Sequence, residues 1–222
     1  MTKKAALTKI VLPACLLLGG SPRVGAAAGV GAARPAAALA KSQKRGAVSQ
    51  RRRRQRRLRR PDVIFVPTPP ETVDEMLRQA HLKRGDVLYD LGSGDGRIPL
   101  AAARKYGVRA VGIDIDPKLV AEANEAARRE GLDGLVSFRH ADMFAADVSE
   151  ATVVTLYLSN TLNVMLRPKL LRELRPGTRI VSHDFRMGDW PQEKTVRVPW
   201  KNLYRTVYVW TVPRGRRYKK GA

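Results

Sequence analysis

Three aspartates, each beside a turn, are the residues best spaced to do chemistry together. Tyr89-Asp90-Leu91-Gly92-Ser93-Gly94-Asp95-Gly96-Arg97 joins an apolar run to a helical one. Its glycines permit a sharp turn and let backbone approach a ligand with no Cβ in the way. The helix that follows opens with free N–H groups aimed at the same place. A glycine-rich turn alone carries little information, but this one reads G-x-G-x-G with an acid two residues ahead of the first glycine. It therefore differs from the G-x-G-x-x-G that cradles a dinucleotide. Asp90 would repel a pyrophosphate and attract an ammonium group, directly or through water. Asp114, 24 residues further on, ends a second apolar run, where a carboxylate can accept both hydroxyls of a ribose. Asp142, within His140-Ala-Asp-Met-Phe144, follows a third run; there it can accept from an adenine amino group, with Met143 or Phe144 against the ring. Each acid alone has a plainer use, a helix cap for Asp114 or Asp116 and a loop residue for Asp142. Three in order at successive strand ends argue for one shared ligand.

The elements that would hold these acids alternate. Thr68-Pro-Pro-Glu-Thr-Val-Asp-Glu-Met-Leu77 starts a helix, with Thr68 as its N-cap, prolines in the first turn and acids at the positive end. Strands are predicted at Val87–Leu91, Val108–Ile113, Leu135–Phe138, Thr152–Leu158 and Arg179–Ser182, from short apolar runs bounded by turn residues. Helices are predicted at Arg97–Tyr106, Pro117–Glu130 and Thr161–Leu174, the last closed by Pro176-Gly177. Thr195–Val198 and Leu203–Val212 read as a closing hairpin, rich in β-branched and aromatic residues. Strand–helix alternation implies an α/β, Rossmann-like, doubly wound and mostly parallel sheet of seven strands ending in an antiparallel hairpin. In such a sheet a ligand binds outside the carboxyl ends of the strands, where the three acids fall.

The chain of 222 residues carries a formal charge of +22, but the charge is not spread evenly. Sixteen of the 42 Lys and Arg lie in residues 1–60, which hold no Asp or Glu, and five more follow Pro213; the stretch 61–213 is near +1. A basic pI here is thus no sign that the folded part binds nucleic acid. We divide the chain into an arm (1–60), a globular domain (61–213) and a basic tail (214–222). Lys3, Lys4 and Lys9, the apolar stretch Ile10–Gly20 and the small residues near Val24 read as a signal peptide, so export is expected; a mitochondrial transit peptide or an uncleaved cytoplasmic arm are the alternatives. The apolar stretch is too short for a spanning helix. Eight arginines in Arg51–Arg60 form a run that either attracts anionic lipid or nucleic acid or is a solvated linker. The lone Cys15 makes no internal disulfide, and His81, His140 and His183 lie apart, so no metal site is expected. A monomer is expected.

Beyond the acids, Val66-Pro-Thr-Pro-Pro70, Thr155-Leu-Tyr-Leu158 and Ser182-His-Asp-Phe185…Trp190 complete a recognisable set. With the glycine-rich turn they make residues 61–213 resemble class I S-adenosylmethionine-dependent methyltransferases. In particular the set is similar to small prokaryotic and archaeal protein-lysine methyltransferases and to the mitochondrial ATP synthase c-subunit lysine methyltransferases. The resemblance implies S-adenosylmethionine as cofactor and a lysine-bearing protein as partner. It implies that Asp90, Gly92, Gly94, Asp95, Gly96, Asp114 and Asp142 bind the cofactor. The Thr68–Pro70 segment would close over it, and Tyr157, Ser159 and Asn160 would line the methyl-transfer channel. The basic arm is foreign to the archaeal relatives.

Methyl transfer from a sulfonium is an in-line displacement, so the protein mainly aligns donor and acceptor. A lysine acceptor must be neutral to attack, and a low-dielectric pocket favours that form. Aromatic walls hold its stem; Tyr157, Phe185 and Trp190 are the candidates, Phe185 and Trp190 being equally suited to packing the sheet edge. The Asn/Asp-Pro-Pro-Tyr/Phe motif of base-amine methylation is missing, the corresponding place reading Tyr157-Leu-Ser-Asn160. A cytosine C5 mechanism needs a cysteine nucleophile, and Cys15 lies outside the domain. A small-molecule or RNA methyltransferase is the alternative enzyme, and a non-catalytic cofactor-binding module with a basic tether is the alternative outside enzymes.

Overall fold

Proline opens two of the helices, and glycine or a short polar turn closes most of the strands. The computed structural model describes Leu58 and residues 62–215. In chain order these form α1 (Pro70–Gln79), β1 (Val87–Leu91), α2 (Arg97–Tyr106), β2 (Arg109–Asp114), α3 (Pro117–Arg129), β3 (Val136–His140), β4 (Val153–Leu156), α4 (Asn160–Glu173), β5 (Arg179–His183), β6 (Lys194–Trp200) and β7 (Leu203–Thr211). The expected signal segment, nearly all of the arginine run and the tail after Gly215 fall outside the described residues. Among the described residues no helix is long and apolar enough to cross a membrane.

The seven strands order as β3-β2-β1-β4-β5-β7-β6. The first five are parallel to their neighbours, and β7 runs antiparallel between β5 and β6, as expected of a doubly wound sheet with a closing hairpin. Alternation along β1 shows why both faces are covered. Leu88 points into a core with Val73 and Met76 of α1, Ala102 of α2 and Ala123 of α3. Tyr89 and Leu91 point into a second core with Leu162, Leu166 and Leu170 of α4 and Trp210 of β7. The chain reverses at β1, with β2 on one side and β4 on the other, and that switch point opens the crevice where ligands bind.

Two local expectations are corrected. Thr68 does not cap α1: Pro69 takes the cap position, Pro70 begins the helix, and no side chain caps it. The fourth strand is shorter than expected, because Tyr157 and Leu158 leave the ladder after Leu156 and turn toward the crevice.

Gly112, mid-strand in β2, lets the Phe138 ring lie against the backbone; a Cβ there would run into that ring and come within 2.7 Å of Ser93 Oγ. Gly112→Ala is expected to cost about 1–3 kcal/mol of stability through overpacking, read as a lower urea midpoint at unchanged slope. Gly134→Ala, where a Cβ meets nothing within 4 Å, should be close to neutral. Equal midpoints for the two would contradict the packing described.

Candidate active site

The carboxyl ends of β1 to β4 open into a cavity of about 490 Å³, a size that suits a nucleoside-sized ligand. Among the described residues six aspartates line it, Asp62, Asp90, Asp95, Asp114, Asp116 and Asp142, against a single cation, Arg97. Arg97 is already engaged: it forks onto Asp95 at 2.6–3.1 Å and donates to the Thr68 carbonyl at 2.7 Å. Even without Asp90 the described lining is net negative, a field that draws cations in.

Asp90 lies in β1 opposite Gly112 on one side and Thr155 on the other. It is fully buried, and the Thr155 hydroxyl donates to it at 2.7 Å. Burial, reinforced by the charges of Asp114 and Asp95 and opposed by that hydrogen bond, pushes Asp90 up to about 8. A buried carboxylate so placed ionises readily only when a positive group arrives.

Asp114 ends β2 with both oxygens oriented by backbone: Gly94 N donates to one at 2.7 Å and Asp116 N to the other at 2.9 Å. Asp116, and not Asp114, caps α3, accepting from Lys118 N. Asp142 accepts from Phe144 N at 2.9 Å. Ile115 and Met143, next in the chain to Asp114 and Asp142, give the cavity apolar wall; Phe144 is half-buried against the second core, of which Met143 is also part. Ser93, also on the wall, has a buried hydroxyl with no hydrogen-bond partner. A cationic amino-acid group attached to a nucleoside would fit these residues: Asp90 and Ser93 are placed for the amino acid, Asp114 for a ribose and Asp142 with Met143 for a base.

A strap from Asp62 to Thr68 crosses the cavity ahead of α1. Phe65 lies against Gly94, whose φ of 53° and bare Cα leave room for the ring. Thr68 fastens the strap to the carboxyl end of β5, its Oγ1 lying 3.2 Å from Nδ1 of His183. His183 is wholly buried and stacks on Tyr157, ring centroids 3.8 Å apart. Its Nε2 lies 3.3 Å from Asp184 Oδ2 without the direction of a hydrogen bond. Burial lowers His183 to about 4, with Asp184 pulling up and Arg205 pushing further down, so the imidazole is neutral at physiological pH.

Of the residues expected to act, Thr68, Asp90, Gly92, Asp95, Asp114, Asp142 and Tyr157 line the cavity. Gly94 and Gly96 do not; they serve close packing, Gly94 under Phe65 and Gly96 under Phe138. Ser159 and Asn160 are off the wall too. The Ser159 hydroxyl caps α4 by accepting from Leu162 N, and Asn160 Oδ1 accepts from Arg186 N. Phe185 stands behind Tyr157, with centroids 5.8 Å apart. Trp190 packs on Trp210 and accepts from its indole N–H through the backbone carbonyl. Both belong to a second layer, since β5 ends before them and the loop carries them off the wall. Sequence reasoning misses His183, Ser93, Thr155 and Arg97 as individuals, although each stands inside a motif it singles out.

Known proteins are similar to this chain. The sequence profile of the ANTKMT methyltransferase domain matches residues 90–194. A protein-lysine N-methyltransferase of Saccharolobus islandicus is 42% identical over 153 residues, covering 68% of this chain and 95% of that protein. The human lysine N-methyltransferase named for the C-subunit of ATP synthase is 34% identical over 133 residues, covering 60% of this chain and 56% of that protein. Among solved structures, an RNA methyltransferase from Salinibacter ruber in complex with S-adenosyl-L-homocysteine is 52% identical; the match covers 69% of this chain and 98% of that one, with a TM-score of 0.65.

Asp90 and His183, both buried, generate opposite pH dependences. Asp90 sits above the 3.8 of an unfolded aspartate, so the ligand-free protein should lose stability as pH rises from about 4 to about 8. A cation beside Asp90 favours the carboxylate, so S-adenosylmethionine binding at pH 7 should release close to one proton, read by calorimetry in buffers of different ionisation enthalpy. Asp90→Asn should abolish that release, remove the stability slope and weaken binding on the order of 100-fold; binding with no proton release in the wild type would contradict the assignment. His183 sits below the 6.5 of free imidazole, so its contribution should be lost as pH falls from about 6.5 to about 4. His183→Leu should flatten that acid-side loss. Thr68→Val, which frees only the strap, should raise KM for the cofactor about fivefold with kcat little changed; an unchanged KM would show that the hydrogen bond fastens nothing.

Proposed function

This chain belongs to the S-adenosylmethionine-dependent methyltransferases, and we propose that it methylates the side-chain nitrogen of lysine in a protein substrate. Bound S-adenosylmethionine supplies an electrophilic methyl group on a cationic sulfur. The chain's own residues hold and shield it. Asp90 takes the ammonium, Asp114 the ribose and Asp142 the adenine edge, while the strap and Leu158 keep water from the reacting end. With the donor fixed, catalysis is chiefly alignment of the acceptor nitrogen behind the methyl carbon.

The observation that carries the lysine reading is the charge of the cavity. Among the described residues it is lined by six aspartates against one arginine, which pairs with Asp95; even with Asp90 protonated that lining is net negative, so it attracts an alkylammonium and repels a phosphate. Tyr157 gives the wall an aromatic face, held by His183 behind it; such a face accommodates a lysine stem and its cationic forms. Apolar neighbours Leu158 and Leu162 lower the polarity and favour the neutral amine that attacks. The archaeal relative named as a protein-lysine N-methyltransferase supports the same acceptor. The relative named as an RNA methyltransferase raises a base amine as competitor, but Tyr157-Leu-Ser-Asn160 lacks the residues that usually grip one. In this reading residues 1–60 take no part in the chemistry; they serve as an export address and as a tether to anionic lipid or nucleic acid, and the enzyme works as a monomer.

Incubated with methyl-labelled S-adenosylmethionine and a cell lysate, the full chain should transfer label to protein bands that survive nuclease. Acid hydrolysis should return the label as N-methyllysine. Label lost to ribonuclease would overturn the lysine acceptor and leave methyl transfer in place.

A further inference from the structure

The sheet does not end level at its active-site edge. β5 stops at His183, opposite Val207, whereas β7 begins four residues earlier at Leu203. Leu203–Thr206 pair only with Arg197–Trp200 of β6. A two-stranded ribbon therefore overhangs the end of β5 by about 13 Å at the usual strand rise. Asp184 anchors its root, accepting from Thr206 N at 2.7 Å and from Arg205 at 3.1 Å. The root adjoins the cavity wall: Arg205 is close enough to Tyr157 that its charge opposes the upward push of burial on that hydroxyl.

Between residues 194 and 206 stand Lys194, Arg197, Lys201 and Arg205, with no Asp or Glu. Arg197 lies 4.2 Å from the centre of the Tyr204 ring, and Lys201 and Arg205 lie 4.8 and 4.3 Å from that of Trp200. Leu203 and Tyr204 are 63% and 57% exposed. Charges on an edge strand, and a proline such as Pro199 within it, ordinarily block unwanted strand pairing. That role explains the cations along β6, but not an exposed Leu–Tyr pair on a ribbon beside a catalytic cavity.

Resting on the reading of the chain as a lysine methyltransferase, we propose that this ribbon docks the acceptor protein by an acidic segment flanking the target lysine. Charge sets the register. The acidic cavity draws the lysine in and turns neighbouring carboxylates away, and the cations of the ribbon receive them outside. A cation seated on a ring keeps its outer N–H groups free for a carboxylate, and Leu203 and Tyr204 give apolar contact beside it. A nucleic-acid strand fits less well, because cations already occupy the Trp200 and Tyr204 rings on which bases would stack.

The test uses the full chain with two synthetic peptides, a lysine flanked by glutamates and the same lysine flanked by serines. The wild type should favour the glutamate peptide about tenfold in kcat/KM. Arg197→Ser combined with Lys201→Ser should erase that preference through the peptide KM, leaving kcat and the KM for S-adenosylmethionine unchanged. A preference that persists in the variant places acid recognition elsewhere, for instance on the arginine run, and overturns the proposal, as does a wild type with no preference. Inhibition of the wild type, but not the variant, by oligouridylate or phosphatidylserine vesicles, with no glutamate preference, would make the ribbon a nucleic-acid or lipid surface instead. Label that enters RNA and neither peptide would overturn the lysine reading itself, an outcome distinct from equal use of both peptides.

Discussion

A carboxylate held out of water with one hydroxyl for company is an unfavourable thing to build, and the site is arranged around one. Asp90 sits between Gly112 and Thr155 on neighbouring parallel strands, with Thr155 alone among the described residues donating to its side chain. Leaving it charged and unpaired would be costly; keeping it protonated until a cation arrives resolves the difficulty. The protein can carry this because two apolar cores, one on each face of the sheet, fix β1 and hold Asp90 buried at the cavity wall. The affinity of the cavity for a positively charged donor is in this sense stored in the fold before the donor binds.

The other parts of the site follow from that centre. Gly94 donates to Asp114 from the same turn that follows Asp90, so the acceptors we propose for the ribose and the ammonium are set by one short loop. The strap lies over that loop through Phe65 and is fastened at Thr68 to His183, which in turn backs Tyr157. One buried, neutral imidazole thus links the cover of the donor to the wall that faces the acceptor. Charge is sorted by place: acids line the interior, and cations mark the ribbon at the rim. A substrate with the opposite sorting, a lysine among acids, is the one such a surface selects.

Much of this is legible in the sequence because it is local. The glycine-rich turn, Asp90, Asp114 and Asp142 stand out by spacing, and the strand–helix alternation puts them at one edge of one sheet. What the sequence hides depends on contacts far apart in the chain. Thr68 has the residue type of a cap, but Pro69 holds that position and the Thr68 hydroxyl reaches a histidine 115 residues away. Ser159 is a cap in fact, a use that local rules describe well but that competes with a catalytic reading. Phe185 and Trp190 are aromatic and near the end of β5, yet the turn after His183, with Asp184 at positive φ, carries them behind the wall. His183 lacks metal-binding company in the sequence, and its role comes from burial, which spacing does not reveal.

The measurement closest to the central claim is the titration of the Asp90 carboxyl itself, followed by carbon NMR of aspartate-labelled protein with Asp90→Asn as the assignment control. A carboxyl protonated until the donor arrives should titrate near 8 in the ligand-free protein and stay ionised well below neutrality once S-adenosylmethionine is bound. An Asp90 that titrates in the ordinary carboxylate range, unmoved by the cofactor, would contradict it.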